Sequence, residues 1–147
     1  MNGTISLKIP NDKKDLDKYF YFRWLYLRKP LGASLKSCKD DLENTSYHIM
    51  AISNQEIIGV GRIHKVPKST FQIRYMAVNK EKRGLGIGSR IIKYLESIAI
   101  NEGASKIILH AREKAIPFYS KNGYKKIKKT HKIMGDIQHY LMEKYII

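Results

Sequence analysis

Apolar and polar residues alternate along the chain with two different periods, and the changes of period mark the predicted elements. Alternation with a period of two, typical of half-buried strands, predicts seven strands at 5–9, 47–52, 57–66, 71–78, 106–110, 124–129 and 137–146. Apolar spacings of three and four residues predict four helices at 13–28, 38–43, 89–102 and 115–121. The order βααβββαβαββ indicates an α/β protein of the α+β type, with a mixed, largely antiparallel sheet of six or seven strands flanked by about four helices.

Composition narrows the class of protein. The chain has 147 residues, of which 43 % are hydrophobic, so we expect one domain with a substantial core rather than a disordered chain. No apolar run approaches the ~20 residues that span a bilayer, and the first six residues lack the layout of a signal peptide. The single cysteine, Cys38, excludes an internal disulfide and a cysteine metal cluster. We therefore expect a cytoplasmic protein without a membrane partner.

The formal net charge of +15 would attract polyanions such as nucleic acid or phosphorylated cofactors. We favour the simpler interpretation of a lysine-rich surface, because the basic residues are spread along the chain. The densest cluster, 125–129, alternates like an edge strand, where lysines also block aggregation. A non-catalytic nucleic-acid-binding module nevertheless stays open as the alternative function.

Three alternating glycines follow the strand predicted at 71–78 and lead into a predicted helix. The turn reads Arg83-Gly84-Leu85-Gly86-Ile87-Gly88-Ser89. Glycines let backbone N–H groups converge on a bound group, and the helix adds unpaired N–H groups and the positive end of its dipole. We therefore predict an anion site suited to a pyrophosphate. The Rossmann pattern fails because Ser89 replaces its third glycine, and the Walker pattern fails because no Lys-Ser or Lys-Thr pair follows.

Two blocks resemble motifs of the GNAT family of N-acetyltransferases. Arg83, Gly86 and Gly88 fit R-x-x-G-x-G, which resembles the family's pyrophosphate-binding signature, and residues 115–124 are similar to its A-x-x-F-Y-x-x-x-G-[FY] block. Weaker similarity at 22–32 and 137–142 extends the resemblance over the whole chain. It implies a single GNAT domain at 1–147 that moves an acetyl group from acetyl-CoA directly to a primary amine, without a metal.

The same resemblance implies roles for individual residues. The backbone of Met76, Ala77 and Val78 would pair with the pantetheine arm, and a bulge there would free an amide to polarise the thioester carbonyl. Tyr119 would protonate the departing CoA thiolate, and Phe118 would lie on the cofactor side. The pyrophosphate would be held by Arg83, Gly84, Leu85, Gly86, Ile87, Gly88 and Ser89.

The chain departs from the family pattern at two points. Arg112 stands where many members have asparagine, so a cofactor contact is either lost or replaced by one to the phosphates. The strand predicted at 71–78 carries no carboxylate, so either water or His110 could act as the general base. For His110 itself we favour the simpler interpretation of a hydrogen-bonded histidine in the sheet without a catalytic role.

Three further expectations concern charge and assembly. The five histidines are scattered without ligand spacing, so no metal site is expected. A hairpin folded about Lys68 places Arg62 opposite Arg74; either the register differs, which we favour, or an anion lies between them, such as an acidic group of a substrate. The terminal strands would leave an apolar sheet edge, which predicts a homodimer.

Overall fold

The computed structural model of the chain describes residues 4–133 and 137–146. Its strands form a single seven-stranded sheet in the order β1-β2-β3-β4-β5-β7-β6. All neighbouring pairs are antiparallel except β4 and β5, so the expected mixed, largely antiparallel sheet is confirmed. The strands are β1 Ser6–Lys8, β2 Tyr47–Ser53, β3 Glu56–Val66, β4 Thr70–Val78, β5 Lys106–Arg112, β6 Lys125–Ile133 and β7 Ile137–Tyr145.

In the described residues three α-helices cover the sheet: α1 Lys13–Leu27, α2 Ile87–Asn101 and α3 Ile116–Lys121. The side chain of Asp12 caps α1 by accepting a hydrogen bond from the Asp15 N–H. Helix α2 begins two residues earlier than predicted, directly after Gly86 in a left-handed conformation. None of the helices in the described ranges is long and apolar enough to span a membrane.

The second predicted helix, 38–43, was wrong in its bounds and type. Two short 3-10 helices, Leu35–Cys38 and Glu43–Thr45, flank an irregular segment instead. Within it the Asp40 carboxylate accepts the Leu42 N–H at 2.9 Å, and the Glu43 carboxylate accepts the Asp40 N–H at 3.0 Å. Such local side-chain bonds compete with helical ones, and they orient both carboxylates toward the sheet.

Helices α1 and α2 pack on opposite faces of the sheet. Val60 of β3 joins Tyr19 and Phe22 of α1 in one cluster, whereas the main core lies around α2. The neighbouring Gly61 faces α2, and a Cβ built there would lie 2.7 Å from Ile91 Cγ2. Because residues alternate between the two faces of a strand, we call the face covered by α1 the α1 face and the face covered by α2 the α2 face. The candidate site lies in a gap between two strands of this sheet.

Strand β6 forms one outer edge of the sheet, because β7 inserts between β5 and β6. Five of its nine residues are lysines, and all five are exposed. The apolar edge expected for the terminal strands is therefore not found there. Lysines on an edge strand oppose pairing with a second sheet.

Candidate active site

Strands β4 and β5 pair only over their first halves and then separate. Their ladder runs from Thr70 opposite Lys106 to Ile73 opposite Leu109, and no pairing follows. A cavity of about 340 Å³ opens beyond this point, between the later residues of both strands and the end of α1. The gap exposes strand backbone inside the fold, which gives an extended ligand a place to lie.

A β-bulge in β4 lies at this gap. Val60 pairs with Ala77 and Arg62 pairs with Arg74, so the single residue Gly61 faces both Tyr75 and Met76. Tyr75 accommodates the extra residue with a φ of 57°. A bulge leaves a residue outside the regular ladder. The resemblance implied a bulge in this strand within 76–78, and the observed bulge starts one residue earlier, at Tyr75. The Met76 side chain lines the cavity.

The glycine turn follows β4 and precedes α2. Gly84 and Gly86 have φ values of +89° and +78°, and a Cβ built on either would meet no atom within 4 Å. Their backbone therefore faces open space. Gly86 supplies no capping side chain, and the first helical bond runs from Arg90 N to Gly86 O, so the N–H groups of the first turn of α2 are free to bind an anion.

Gly88 has a different role from the other two glycines. A Cβ there would lie 2.7 Å from the Phe118 ring, so Gly88 lets α3 pack closely against the start of α2. The two sequence blocks singled out by the pattern are thus in direct contact. Ile87 is buried, whereas Arg83 and Leu85 are exposed and Ser89 is half-buried, so the backbone and these three side chains are available to a ligand at the surface.

Tyr119 lines the cavity from α3 and is 9 % exposed. Its ring packs edge-on against Phe118 and Tyr124, with centroids 5.1 and 6.1 Å away. We find no hydrogen-bond partner for its hydroxyl among the described residues. Burial raises the pKa of the phenol above its ordinary value of 10, against a smaller opposite effect of Arg112. The phenol is therefore protonated at neutral pH and directed at the cavity.

Three of the scattered histidines meet at the cavity wall. His110 lies on β5, His131 on β6 and His139 on β7, and the His131 ring centroid lies 5.1 Å from that of His110 and 5.0 Å from that of His139. His110 Nδ1 is 3.2 Å from the Thr130 hydroxyl. Burial, followed by the neighbouring His131, lowers the pKa of His110, and burial also lowers that of His139. Both are therefore neutral at pH 7.

The sequence could not signal this cluster, because residues 110, 131 and 139 show no ligand spacing and meet only through the insertion of β7. Even so, within residues 4–133 and 137–146 no group of three or more His, Cys, Asp or Glu side chains is arranged to hold a metal ion.

Arg62 and Arg74 are paired across β3 and β4, so the register error that we favoured is wrong. The anion between them belongs to the chain itself. Asp40 accepts from Arg62 at 2.6 and 2.9 Å and from Arg74 at 2.7 Å, and Glu43 accepts from Arg62 at 3.0 Å. No substrate group is required between the two arginines.

Arg112 lies on the α1 face of the sheet. It is paired with His139 across β5 and β7, and its neighbour Ala111 belongs to the core around α2. Its Nη2 donates to the Leu27 carbonyl at 3.0 Å, at the end of α1. The side chain thus lies on the face opposite α2 and its glycine turn, where it borders the cavity and not the predicted phosphate site.

Comparison with known proteins identifies the family. The profile of the acetyltransferase (GNAT) family matches residues 13–124. The chain is 32 % identical over 136 residues to YjcF, an uncharacterised N-acetyltransferase of Bacillus subtilis strain 168, covering 92 % of this chain and 96 % of that protein.

Solved structures share the fold. An aminoglycoside 6'-N-acetyltransferase complexed with coenzyme A superposes with a TM-score of 0.79 at 19 % identity, over 98 % of this chain and 97 % of the other. A GNAT-family acetyltransferase of Staphylococcus aureus Mu50 gives 0.77 at 19 % identity, over 97 % and 99 %. The chain belongs to the GNAT family and is an N-acetyltransferase.

Proposed function

We propose that the protein transfers the acetyl group of acetyl-CoA directly to a primary amine of its acceptor. The observation that carries the proposal is the cavity in the gap between β4 and β5, which both the β4 bulge and Tyr119 line. It is bordered by the β4 bulge at Tyr75 and Met76 and by the Tyr119 side chain. The glycine turn begins five residues after β4 ends, and Phe118 joins it to the helix that carries Tyr119.

Each part of this arrangement meets a need of the reaction. Bound acetyl-CoA supplies an activated thioester. A backbone N–H freed by the bulge stabilises the charge that develops on a carbonyl oxygen, and the cavity walls hold two reactants together. The Tyr119 phenol, kept protonated by burial, donates a proton to the leaving sulfur.

His110 is our candidate for the group that receives the amine proton. It lines the cavity, whereas no Asp or Glu does among the described residues. Its contact with Thr130 uses Nδ1 and not Nε2. Because its pKa is lowered from the ordinary 6.5, the neutral form that accepts a proton predominates at pH 7.

Acetyl-CoA binding at the glycine turn is tested by Gly86→Val with Gly103→Val as the matched control. Both glycines have left-handed φ values, +78° and +81°, and space around a built Cβ. Both substitutions therefore carry a similar backbone strain of about 1–2 kcal/mol, but only Gly86 lies at the start of α2. In isothermal titration calorimetry we expect Gly86→Val to lose acetyl-CoA binding and Gly103→Val to retain it. Equal affinity of both variants would place the cofactor elsewhere.

Transfer itself is tested by the release of free CoA thiol in the presence of a panel of amines. Thiol release that depends on an added amine supports the proposed reaction. Binding of acetyl-CoA without amine-dependent release from any amine contradicts it.

A homodimer stays a prediction. The β6 edge is a poor surface for it, because antiparallel pairing of two β6 strands would bring lysines of both copies together. Light scattering that finds only monomers at micromolar concentration would contradict it. The same exposed edge accounts for the densest basic cluster, so no observation favours nucleic-acid binding as a second function.

A further inference from the structure

The cavity lining carries an unbalanced positive charge. The charge comes from three arginines, Arg28, Arg74 and Arg112, and no carboxylate borders the cavity among the described residues. Arg74 is neutralised by Asp40. Arg28 and Arg112 have no carboxylate within 4 Å in the described part of the chain.

Arg28 and Arg112 converge on one atom. Arg28 Nη1 and Arg112 Nη2 both donate to the Leu27 carbonyl, at 3.2 and 3.0 Å. Arg28 is 6 % exposed, and its Nε donates to the Ser37 carbonyl at 3.1 Å. Burial lowers the pKa of both guanidiniums, and for Arg112 the next contribution is the charge of Arg28. Two like charges thus share a partly desolvated wall of the cavity.

The other arginine pair of this fold shows how such a charge is balanced. Arg62 and Arg74 also lie side by side, and the Asp40 carboxylate bridges them. A buried charge without an opposite charge is unfavourable, and guanidiniums bind carboxylates and phosphates through paired N–H donors. The Arg28–Arg112 pair has no anion from the described residues of the chain, and Arg28 Nη2 and Arg112 Nε and Nη1 are not used by the Ser37 and Leu27 carbonyls.

We infer that the acceptor amine carries an anionic group, a carboxylate or a phosphate monoester, which Arg28 and Arg112 bind. This inference rests on the proposed function, since it assigns the acceptor side of the same cavity. It places the anion on the α1 face, away from α2 and the glycine turn. Polycationic amines are disfavoured because the uncompensated arginines repel them.

The activity test compares matched amines by CoA thiol release. The pairs are glucosamine 6-phosphate with glucosamine, phosphoethanolamine with ethanolamine, and methionine with methioninamide, and kanamycin represents polycations. We expect the member that carries the phosphate or carboxylate to have a higher kcat/KM by about tenfold or more, since the charge-assisted hydrogen bonds of that group are lost in the member without it. The first two pairs test phosphate and the third tests carboxylate. A preference for the amines without an anionic group, or for the polycation, overturns the inference.

Two variants locate the anion site. Arg28→Gln and Arg112→Gln should each raise KM for the anionic acceptor and reduce its advantage, while the affinity for acetyl-CoA stays unchanged. The control is Lys36→Gln, which removes the same charge from an exposed position near Arg28 in the chain. If the amine with the anionic group keeps its higher kcat/KM in both arginine variants, the inference is overturned. If one of the variants fails to fold, the other is sufficient for the test.

A binding measurement decides the question independently of turnover. In saturating CoA, which occupies the proposed phosphate site, inorganic phosphate should raise the Tm of the wild type and of Lys36→Gln more than chloride of equal ionic strength does. This increment should disappear in both arginine variants. If phosphate raises Tm equally in all four proteins, the anion site is overturned. If CoA does not bind but the phosphate increment in Tm still disappears in the arginine variants, only the proposed function is contradicted.

Discussion

Replacing Asp40 by asparagine tests the charge network beneath the cavity. Asp40 bridges Arg62 and Arg74, and Arg62 is fully buried, with an exposed fraction of 0 %. Burial raises the pKa of the Asp40 carboxyl, but hydrogen bonds from Arg62 and Leu42 and the charges of both arginines outweigh it, so its pKa lies well below the usual range. The carboxylate is therefore ionised at neutral pH, and the substitution removes a full negative charge.

The expected loss of unfolding free energy in Asp40→Asn follows from the contacts that remain around Arg62. Removing one partner of a buried ion pair costs about 3–5 kcal/mol. Glu43 still lies 3.0 Å from Arg62 Nη1, and asparagine keeps one acceptor oxygen, whereas Arg62 Nε has no partner among the described residues. We therefore expect Asp40→Asn to lower the free energy of unfolding by about 3 kcal/mol, the lower end of that range. At about 2–4 °C per kcal/mol, Tm should fall by about 10 °C.

The assay is urea unfolding followed by tryptophan fluorescence. The chain has one tryptophan, Trp24 in α1, whose indole N–H donates to the Ala33 carbonyl. Asp41→Asn is the matched control, because it removes the same charge from the exposed neighbouring position. A difference in unfolding free energy between the two variants below about 1 kcal/mol, the size of a surface ion pair, would show that Asp40 does not compensate a buried guanidinium.

Three further outcomes are expected. Tyr119→Phe keeps the ring but removes the proton donor, so kcat should fall by about 10²–10⁴-fold with unchanged acetyl-CoA affinity; an unchanged single-turnover rate would show that the thiolate leaves without help. His110 has a lowered pKa, so kcat/KM of the wild type, corrected for the fraction of unprotonated acceptor amine, should hold through pH 6.5 and fall only at lower pH; His110→Gln should remove this acidic limb, and its persistence would exclude His110 as the base. His64, whose pKa is lowered to about 4 from 6.5 by burial and by Arg62, stabilises the fold above pH 6.5 and loses that contribution as pH falls toward 4. The free energy of unfolding of His64→Asn, measured in urea, should therefore fall by about 3 kcal/mol less between pH 6.5 and 4 than that of the wild type. Parallel pH profiles of the two proteins would contradict that assignment.

Local signals in the sequence predicted most of the architecture. Strand alternation and helical spacing depend only on neighbouring residues, and they placed the strands and the helices at 13–28, 89–102 and 115–121 within a few residues of the observed bounds. The glycine turn is a local signal too, because positive φ values at Gly84 and Gly86 require glycine. The predicted helix at 38–43 failed because Asp40 and Glu43 bond the local backbone and the arginines of the sheet.

Tertiary structure decided which distant side chains meet in the cavity. A hairpin centred on position 68 offered the pairing of Arg62 with Arg74, but we favoured a different register, because the bridging Asp40 comes from a segment more than twenty residues earlier that the sequence does not connect to them. The insertion of β7 between β5 and β6 brings His110, His131 and His139 together. No pattern of period two or 3.6 encodes strand order, because order depends on how whole faces of the sheet pack and not on neighbours in the chain. The pairing of Arg28 with Arg112 at the Leu27 carbonyl likewise exists only where the end of α1 reaches the gap beside β5.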